Sequence, residues 1–234
     1  MQRALYLLFN EGYHGASAEL AVRADLCQEA IRLMGILQEH PAAATPETFA
    51  LAALMHLHAA RLPSRLDALG ELNAFEDQDR SKWDRGLVAE GQRLLERAAA
   101  GAEVTEYHLE AAIAWFHAAA PRAADTDWES IVTLYDTLLK LHPSPVIALN
   151  RAIAVAQHAG PERGLQALHA IADVERLAQY PFYAAALGEL ELRRGEPAAA
   201  RAHFQAALQL ARSPMERRFF GQRVEACGSG PYSR

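Results

Sequence analysis

Apolar residues recur at spacings of three and four along almost the whole chain, and proline or glycine cuts the pattern at short intervals. An apolar face repeating about every 3.6 residues lets a helix bury one side, whereas strict alternation, the mark of a half-buried strand, is nearly missing. The pattern predicts an all-α chain with helices over 3–11, 18–39, 46–61, 80–100, 105–119, 128–141, 145–159, 161–172, 180–194, 197–211 and 214–226. The breaks fall at Gly12, Pro41, Pro46, Pro63, Gly101, Pro121, Pro143, Pro145, Gly160, Pro161, Gly195, Pro197 and Pro214. Proline just inside a helix start and glycine just past an end is the expected polarity. RLDALGELNAF reads differently: Asp67 and Gly70 mark a turn, and Leu66, Leu72 and Phe75 form the sides of a small hairpin-like insertion near 65–76.

Pairs of short helices call for a search for a fixed period. Aligning LYDTLLKLHP, LHAIADVERL and FQAALQLARS on Tyr135, His169 and Phe204 gives intervals of 34 and 35 residues, and Gly160 and Gly195 are also 35 apart. Ile131, Leu165 and Ala200 stand at the matching upstream place, with Leu138, Ala172 and Ala207 three positions beyond the aligned residue. This resembles the tetratricopeptide (TPR) pattern, most fully in ALGELELRRGEPAAARAHFQAAL, where Leu187, Gly188, Gly195, Ala200, Phe204 and Ala207 sit at consensus offsets. Small residues there let two helices approach closely, and the aromatic fills the groove of the next pair. EAIRLMGILQEHPAAATPETFALAALMHLHAAR has the same texture with looser spacing. The expected fold is an all-α, TPR-like superhelix of helical hairpins, an α-solenoid. A degenerate half over 1–122 and a regular half over 123–234 together form one continuous domain.

A chain of 234 residues that is 51% hydrophobic can bury a real core, so disorder is not expected. Its formal charge of −6 offers no global basic field to neutralise phosphates, which makes DNA and RNA poor direct partners. Cys27 and Cys227 have neither CxxC spacing nor the density of a secreted disulfide scaffold, and a reducing cytoplasm is expected. The apolar run ALYLLF is too brief for a signal segment or a membrane span and looks like the lower part of a longer helix; the chain therefore reads as a fragment.

The densest polar stretch is EDQDRSKWDRGLVAEG, residues 76–91. Asp77, Asp79 and Ser81 match the first, third and fifth places of a calcium loop, but the later glycine and glutamate are replaced by Lys82 and Val88. Acid–base work would need one of these carboxylates in an apolar cleft, and Arg80, Lys82 and Arg85 stand beside them. A helix start uses the residues better. Asp79 or Ser81 caps it, Asp84 lies in the first turn, Trp83, Leu87, Leu94 and Ala98 make an apolar stripe, and Gly91 leaves room for a neighbour. Asp77, Gln78 and Arg80 exceed what a helix start requires, and tryptophan and arginine are favoured at binding hot spots. The favoured reading is a structural joint whose polar groups also serve an interface.

In YLLFNEGYHG, Gly12 can end a helix in the left-handed conformation with Tyr6, Phe9 and Tyr13 packed underneath. Asn10 and Glu11 then remain to hydrogen-bond to another segment, such as DQDR. Asn150 and Arg151, inside VIALNRAIAVA, face the concave wall of a TPR array; such a polar pair is either satisfied by a neighbouring turn or reserved for a ligand. Glu189 and Arg193 could line the same groove. His56 and His58 lie two apart on a helix and so face different directions, unlike the i, i+4 pair of a zinc site. Cys27 belongs to an apolar stripe, and Ser130, Ser144 and Ser213 lack a nucleophile elbow. No catalytic residue, metal site or cofactor is expected. A hydrolase ranks below a ligand- or peptide-sensing groove, and both rank below a protein-interaction module.

YLLFNEGYHGA, RADLCQEAIRL, EDQDRSKWDRGLVAEG, AAIAWFHAAAPRAADTDW and LYDTLLKLHPSPVIALNRAIAVA together carry a resemblance to one family. The chain resembles the C-terminal extension of extracytoplasmic-function (ECF) sigma factors that carry a TPR domain, from about Tyr6 to about Val224, with DQDRSxWD the most specific motif. The resemblance implies a bacterial regulatory module that acts by protein contact on the sigma domains of its own polypeptide or on RNA polymerase core. The sigma domains themselves are missing. No direct nucleic-acid contact and no membrane are implied. Asn10, Glu11, Asp77, Gln78, Asp79, Arg80, Trp83 and Asp84 are the preferred interface residues, with Asn150 and Arg151 as second choice. Replacing Asp79 and Arg80 is expected to abolish promoter-specific transcription while leaving the fold intact.

Overall fold

The computed structural model describes residues 1–14, 22–67, 73 and 75–228. These residues are all-α, with no strand among them. The helices are α1 (Gln2–His14), α2 (Ala24–Glu39), α3 (Pro46–Ala59), the single turn α4 (Leu62–Arg65), α5 (Arg85–Ala98) and α6 (Glu106–Ala119). There follow α7 (Trp128–Leu141), α8 (Pro145–Ala159), α9 (Pro161–His169), α10 (Pro181–Arg193), α11 (Pro197–Leu210) and α12 (Pro214–Gly228). Helices pack as hairpins on their neighbours in the chain, an α-solenoid-like succession. The contacts divide the chain into two compact units, Met1–Asp127 and Trp128–Arg234, where the sequence reading divided it after residue 122. Among the described residues no helix is long and apolar enough to cross a membrane.

The first unit is built around α3. Thr45 caps this helix by accepting the Thr48 amide, Pro46 pre-sets its first turn, and FALAALMHLHA is apolar on nearly every side. A helix apolar all round is stable only when surrounded, and α1, α2, α5 and α6 all pack on it. Phe9, Met34, Leu51, Leu54, Met55 and Leu94 fill the space between them, each at most 1% exposed. Burying side chains of this size stabilises by about 1.5–3 kcal/mol apiece before conformational entropy is counted.

Two sequence expectations are corrected here. Gly12 does not end α1 in the left-handed conformation: the helix runs on to His14, and the only described glycines with positive φ are Gly160 and Gly195. Gly12 instead makes room for α2, because a Cβ there would lie 2.7 Å from the Arg23 carbonyl oxygen and 2.9 Å from the Cys27 amide nitrogen. The helix expected to begin at residue 80 begins at Arg85, because residues 80–82 form a separate 3-10 turn and Trp83 is extended. Of the hairpin-like insertion, residues 68–72 and 74 lie outside the described residues, as do residues 18–21 of the helix expected to start there. At the base of the insertion the Asn73 amide donates to the Arg65 carbonyl at 2.9 Å.

In the second unit the TPR-like packing is present with a shifted phase. His169 and Ala172, two of the aligned positions, are exposed, whereas Leu168 and Ile171 are buried. Alignment on the first helical prolines, Pro161 and Pro197, gives a period of 36 and puts Gly164, Leu168 and Ile171 opposite Ala200, Phe204 and Ala207. Pro145 and Pro181, which open α8 and α10, keep the same interval. The slip arises because Gly160 is followed directly by Pro161, whereas Glu196 intervenes between Gly195 and Pro197. Gly164 and Gly188 mark the closest approaches: an added Cβ would lie 2.3 Å from Cβ of Ala156 and 3.0 Å from the Phe204 ring, respectively.

Candidate functional site

The chain turns sharply twice between Phe75 and Arg85, and the side chains of this segment sort by direction. Gln78 points inward at 8% exposure, its amide oxygen accepting from Nε and Nη2 of Arg61, both at 3.2 Å. Asp79 stays exposed and caps the 3-10 turn, accepting from the Ser81 amide at 3.0 Å and the Ser81 hydroxyl at 2.6 Å. Those bonds, the hydroxyl's first, hold its carboxyl below the usual carboxylate range. Arg80 points inward and is 6% exposed; Nη1 donates to the carbonyls of His117 at 2.7 Å and Ala120 at 3.0 Å, and Nη2 to the Thr126 hydroxyl at 3.1 Å. Trp83 is 2% exposed and its indole N–H donates to the Ser64 hydroxyl at 2.8 Å. Asp84, not Asp79 or Ser81, caps α5, accepting the Leu87 amide at 3.0 Å.

The inward groups meet a set that sequence reasoning did not single out. The guanidinium carbon of Arg61 lies 4.1 Å from the centre of the Phe75 ring and 5.5 Å from that of Trp83, and that of Arg80 lies 5.2 Å from Trp83. Stacking of this kind favours arginine in a desolvated place. Phe75 packs edge-on to His117 with ring centres 4.7 Å apart. Burial pushes Arg61 down to about 10. It pushes His117 down to about 3, with Arg61 and Arg80 adding repulsion, so this imidazole is neutral at physiological pH. A neutral imidazole between two cations is poorly placed to gain a proton, so the cluster is arranged for packing and hydrogen bonding, not for proton transfer near neutrality. Arg61, His117 and Thr126 carried no local signal, because the contacts span from 17 to 46 positions.

Asn10 and Glu11 are not joined to this segment: among the described residues no hydrogen bond or ion pair links either to residues 76–84. Asn10 is half-buried and bonds the Tyr6 hydroxyl, and Glu11 is exposed. The first motif reaches towards the second through Tyr13, whose ring lies 3.8 Å from the Arg65 guanidinium and 5.1 Å from the His58 ring. Asp77, Asp79 and Asp84 therefore form the exposed part of the segment, while Gln78, Arg80 and Trp83 are turned inward. The expectation that Arg80 can be replaced without touching the fold is corrected, since its loss would strand two helix-end carbonyls and a buried hydroxyl.

In the second unit Asn150 is exposed on α8, and Arg151 is satisfied by a neighbour, its Nε donating to Asp136 of α7 at 2.5 Å. Glu189 pairs with Arg223, and Arg193 donates to the Ala156 carbonyl at 3.3 Å. A cavity of about 750 Å³ lies elsewhere, in the first unit, between α2, the end of α3 with α4, and the start of α5. Cys27, Ile31, Leu62, Leu66 and Leu87 give it an apolar lining, with Asp84 at its edge. Burial pushes the Cys27 thiol up to about 11, which leaves it protonated and a poor nucleophile. Among the described residues no group of three or more histidines, cysteines, aspartates or glutamates is placed to hold a metal ion.

Residues 1–99 match the model of a family of unknown function, DUF6596. Over 228 residues the chain is 39% identical to the uncharacterized protein R00370 of Rhizobium meliloti (strain 1021), a match covering 97% of this chain and 53% of the relative. The chain thus spans about half the length of the curated relative it matches, and its similarity runs through the DUF6596 region and on across the TPR-like helices.

Proposed function

We propose that this chain is the C-terminal regulatory, protein-interaction module of a bacterial ECF sigma factor, which modulates transcription initiation through contacts with the sigma domains or RNA polymerase core. The observation that carries this reading is the construction of the DQDRSKWD segment. Gln78, Arg80 and Trp83 anchor it, and that anchorage holds Asp77, Asp79 and Asp84 outward on a short, doubly turned loop. Buried aromatic and arginine anchors that preorganise a polar rim are the features of a recognition surface. The rim is of mixed charge, with Lys82 and Arg85 exposed beside the three aspartates, and with the net charge of −6 it favours a polar protein surface as partner over nucleic acid. Similarity to half of a longer relative supports a module that works beside another part of the same polypeptide.

The test is capture of this chain by its own sigma domains and by core polymerase. Asp77→Lys, which reverses an exposed charge outside any cap or buried bond, is expected to weaken capture by about tenfold and to lower promoter-specific transcription by the full-length protein. Equal capture and transcription by wild type and variant would remove the proposal. A second reading, a ligand- or peptide-sensing groove in the TPR-like unit, is favoured by Val146 and Phe182, which are 40% and 41% exposed on α8 and α10. Thermal stabilisation of the chain by a peptide or metabolite, lost in Phe182→Ala, would support it.

A further inference from the structure

One guanidinium holds both ends of the segment through which the chain leaves the first unit. Ala120, just past the last turn of α6, gives its carbonyl to Arg80 Nη1, and Thr126, the residue before the unit's last, gives its hydroxyl to Nη2. The same Nη1 also takes the His117 carbonyl, so Arg80 serves as the C-terminal cap of α6 as well. Between the two anchored points lie exposed Pro121 and Arg122, a single 3-10 turn over Ala123–Asp125, and an exposed Arg122–Asp125 ion pair. Pairs so exposed contribute little, and the turn has almost no buried apolar side chain of its own. The order of this exit segment therefore depends on Arg80, whose guanidinium also lies against the Trp83 ring.

We infer that Arg80 is a latch on the connector 120–127: engaged, it fixes where the chain leaves the first unit; released, it frees the connector to open. The DQDRSKWD segment thereby acquires an internal role beyond partner contact, and the inference needs no partner to be tested. Arg122 supplies the probe, because trypsin can cut after it only when the connector opens. In the whole 234-residue chain, Arg80→Gln is expected to raise the rate of cutting at Arg122 at least about tenfold, as loss of charge-assisted bonds to three acceptors implies. Thr126→Val keeps the two carbonyl bonds and removes the third, so it should fall between that variant and wild type. Cutting at Arg93 on α5 should stay unchanged in both. The inference is overturned by an unchanged rate at Arg122 or by equal acceleration at Arg93 and Arg122.

Discussion

Three helical glycines of the first unit turn one chemical change, glycine to alanine, into a measurement of packing. A helix interior favours alanine over glycine by about 1 kcal/mol, so this gain is common to all three. What differs is the space. At Gly35 of α2 an added Cβ meets nothing within 4 Å. At Gly91 of α5 it meets Cγ of Leu57 at 2.7 Å, a side chain that can yield in part. At Gly12 of α1 it meets the Arg23 carbonyl oxygen at 2.7 Å and the Cys27 amide nitrogen at 2.9 Å, both backbone. Ordinary contact begins near 3.4 Å, so α1 and α2 would have to part by roughly 0.7 Å, with an overpacking cost towards the top of the ~1–3 kcal/mol range. Gly35→Ala is expected to stabilise by about 0.5–1 kcal/mol, Gly12→Ala to destabilise by about 2 kcal/mol, and Gly91→Ala to fall between. The extremes should separate by roughly 10 °C in melting temperature, read by circular dichroism, and in urea midpoint at equal slope. Gly12→Asn makes the comparison decisive. A left-handed helix end would favour asparagine over alanine, whereas a close helix crossing must reject the larger residue more strongly. Gly12→Ala as stable as wild type, or Gly12→Asn better than Gly12→Ala, would refute the close α1–α2 crossing.

Asp84→Ala removes the cap of α5 and is expected to cost about 1 kcal/mol in urea denaturation, whereas Asp79→Ala, which uncaps only one 3-10 turn, should cost less. His117 makes stability depend on pH in a defined direction. Above its ordinary value of 6.5 neither state holds the proton, and below that value only the unfolded chain does, so stability falls as the pH is lowered until the folded imidazole protonates near 3. Within that window His117→Gln should flatten the dependence by up to about 1.4 kcal/mol per pH unit, measured as urea midpoints across the range. His56, lowered in the same direction by burial, adds to the slope that remains, as do Glu90 and Asp125 in the carboxylate range, each lowered chiefly by its bonds to an arginine. The Asp136–Arg151 pair is partly exposed, and a double-mutant cycle should return no more than about 1 kcal/mol of coupling.

The helices were legible because each carries its own instructions: Pro46, Pro145, Pro161, Pro181, Pro197 and Pro214 all stand at the first position of the helices they open. An apolar stripe likewise needs no distant residue to be recognised. Phase was less legible. Glycine spacing put His169 and Ala172 in the core, and the buried Leu168 and Ile171 show that the helix start, not the preceding glycine, sets the register. Gly12 shows the same limit from another side: glycine serves a left-handed turn and a close crossing equally well, and only the position of α2 tells them apart.

At the DQDRSKWD segment the residue types pointed to the place, but direction came from partners far along the chain. Asp79 and Arg80 are adjacent and both polar; one faces solvent and the other is buried, because the acceptors His117, Ala120 and Thr126 lie on that side. Local sequence by itself determined helical class, the limits of the helices that open on proline and the place of the polar joint, since these follow from backbone preference and periodic burial. Which of the joint's groups are anchors and which are surface was decided only by tertiary structure. A side chain's desolvation depends on the donors and acceptors that folding brings to it, and those lie dozens of residues away.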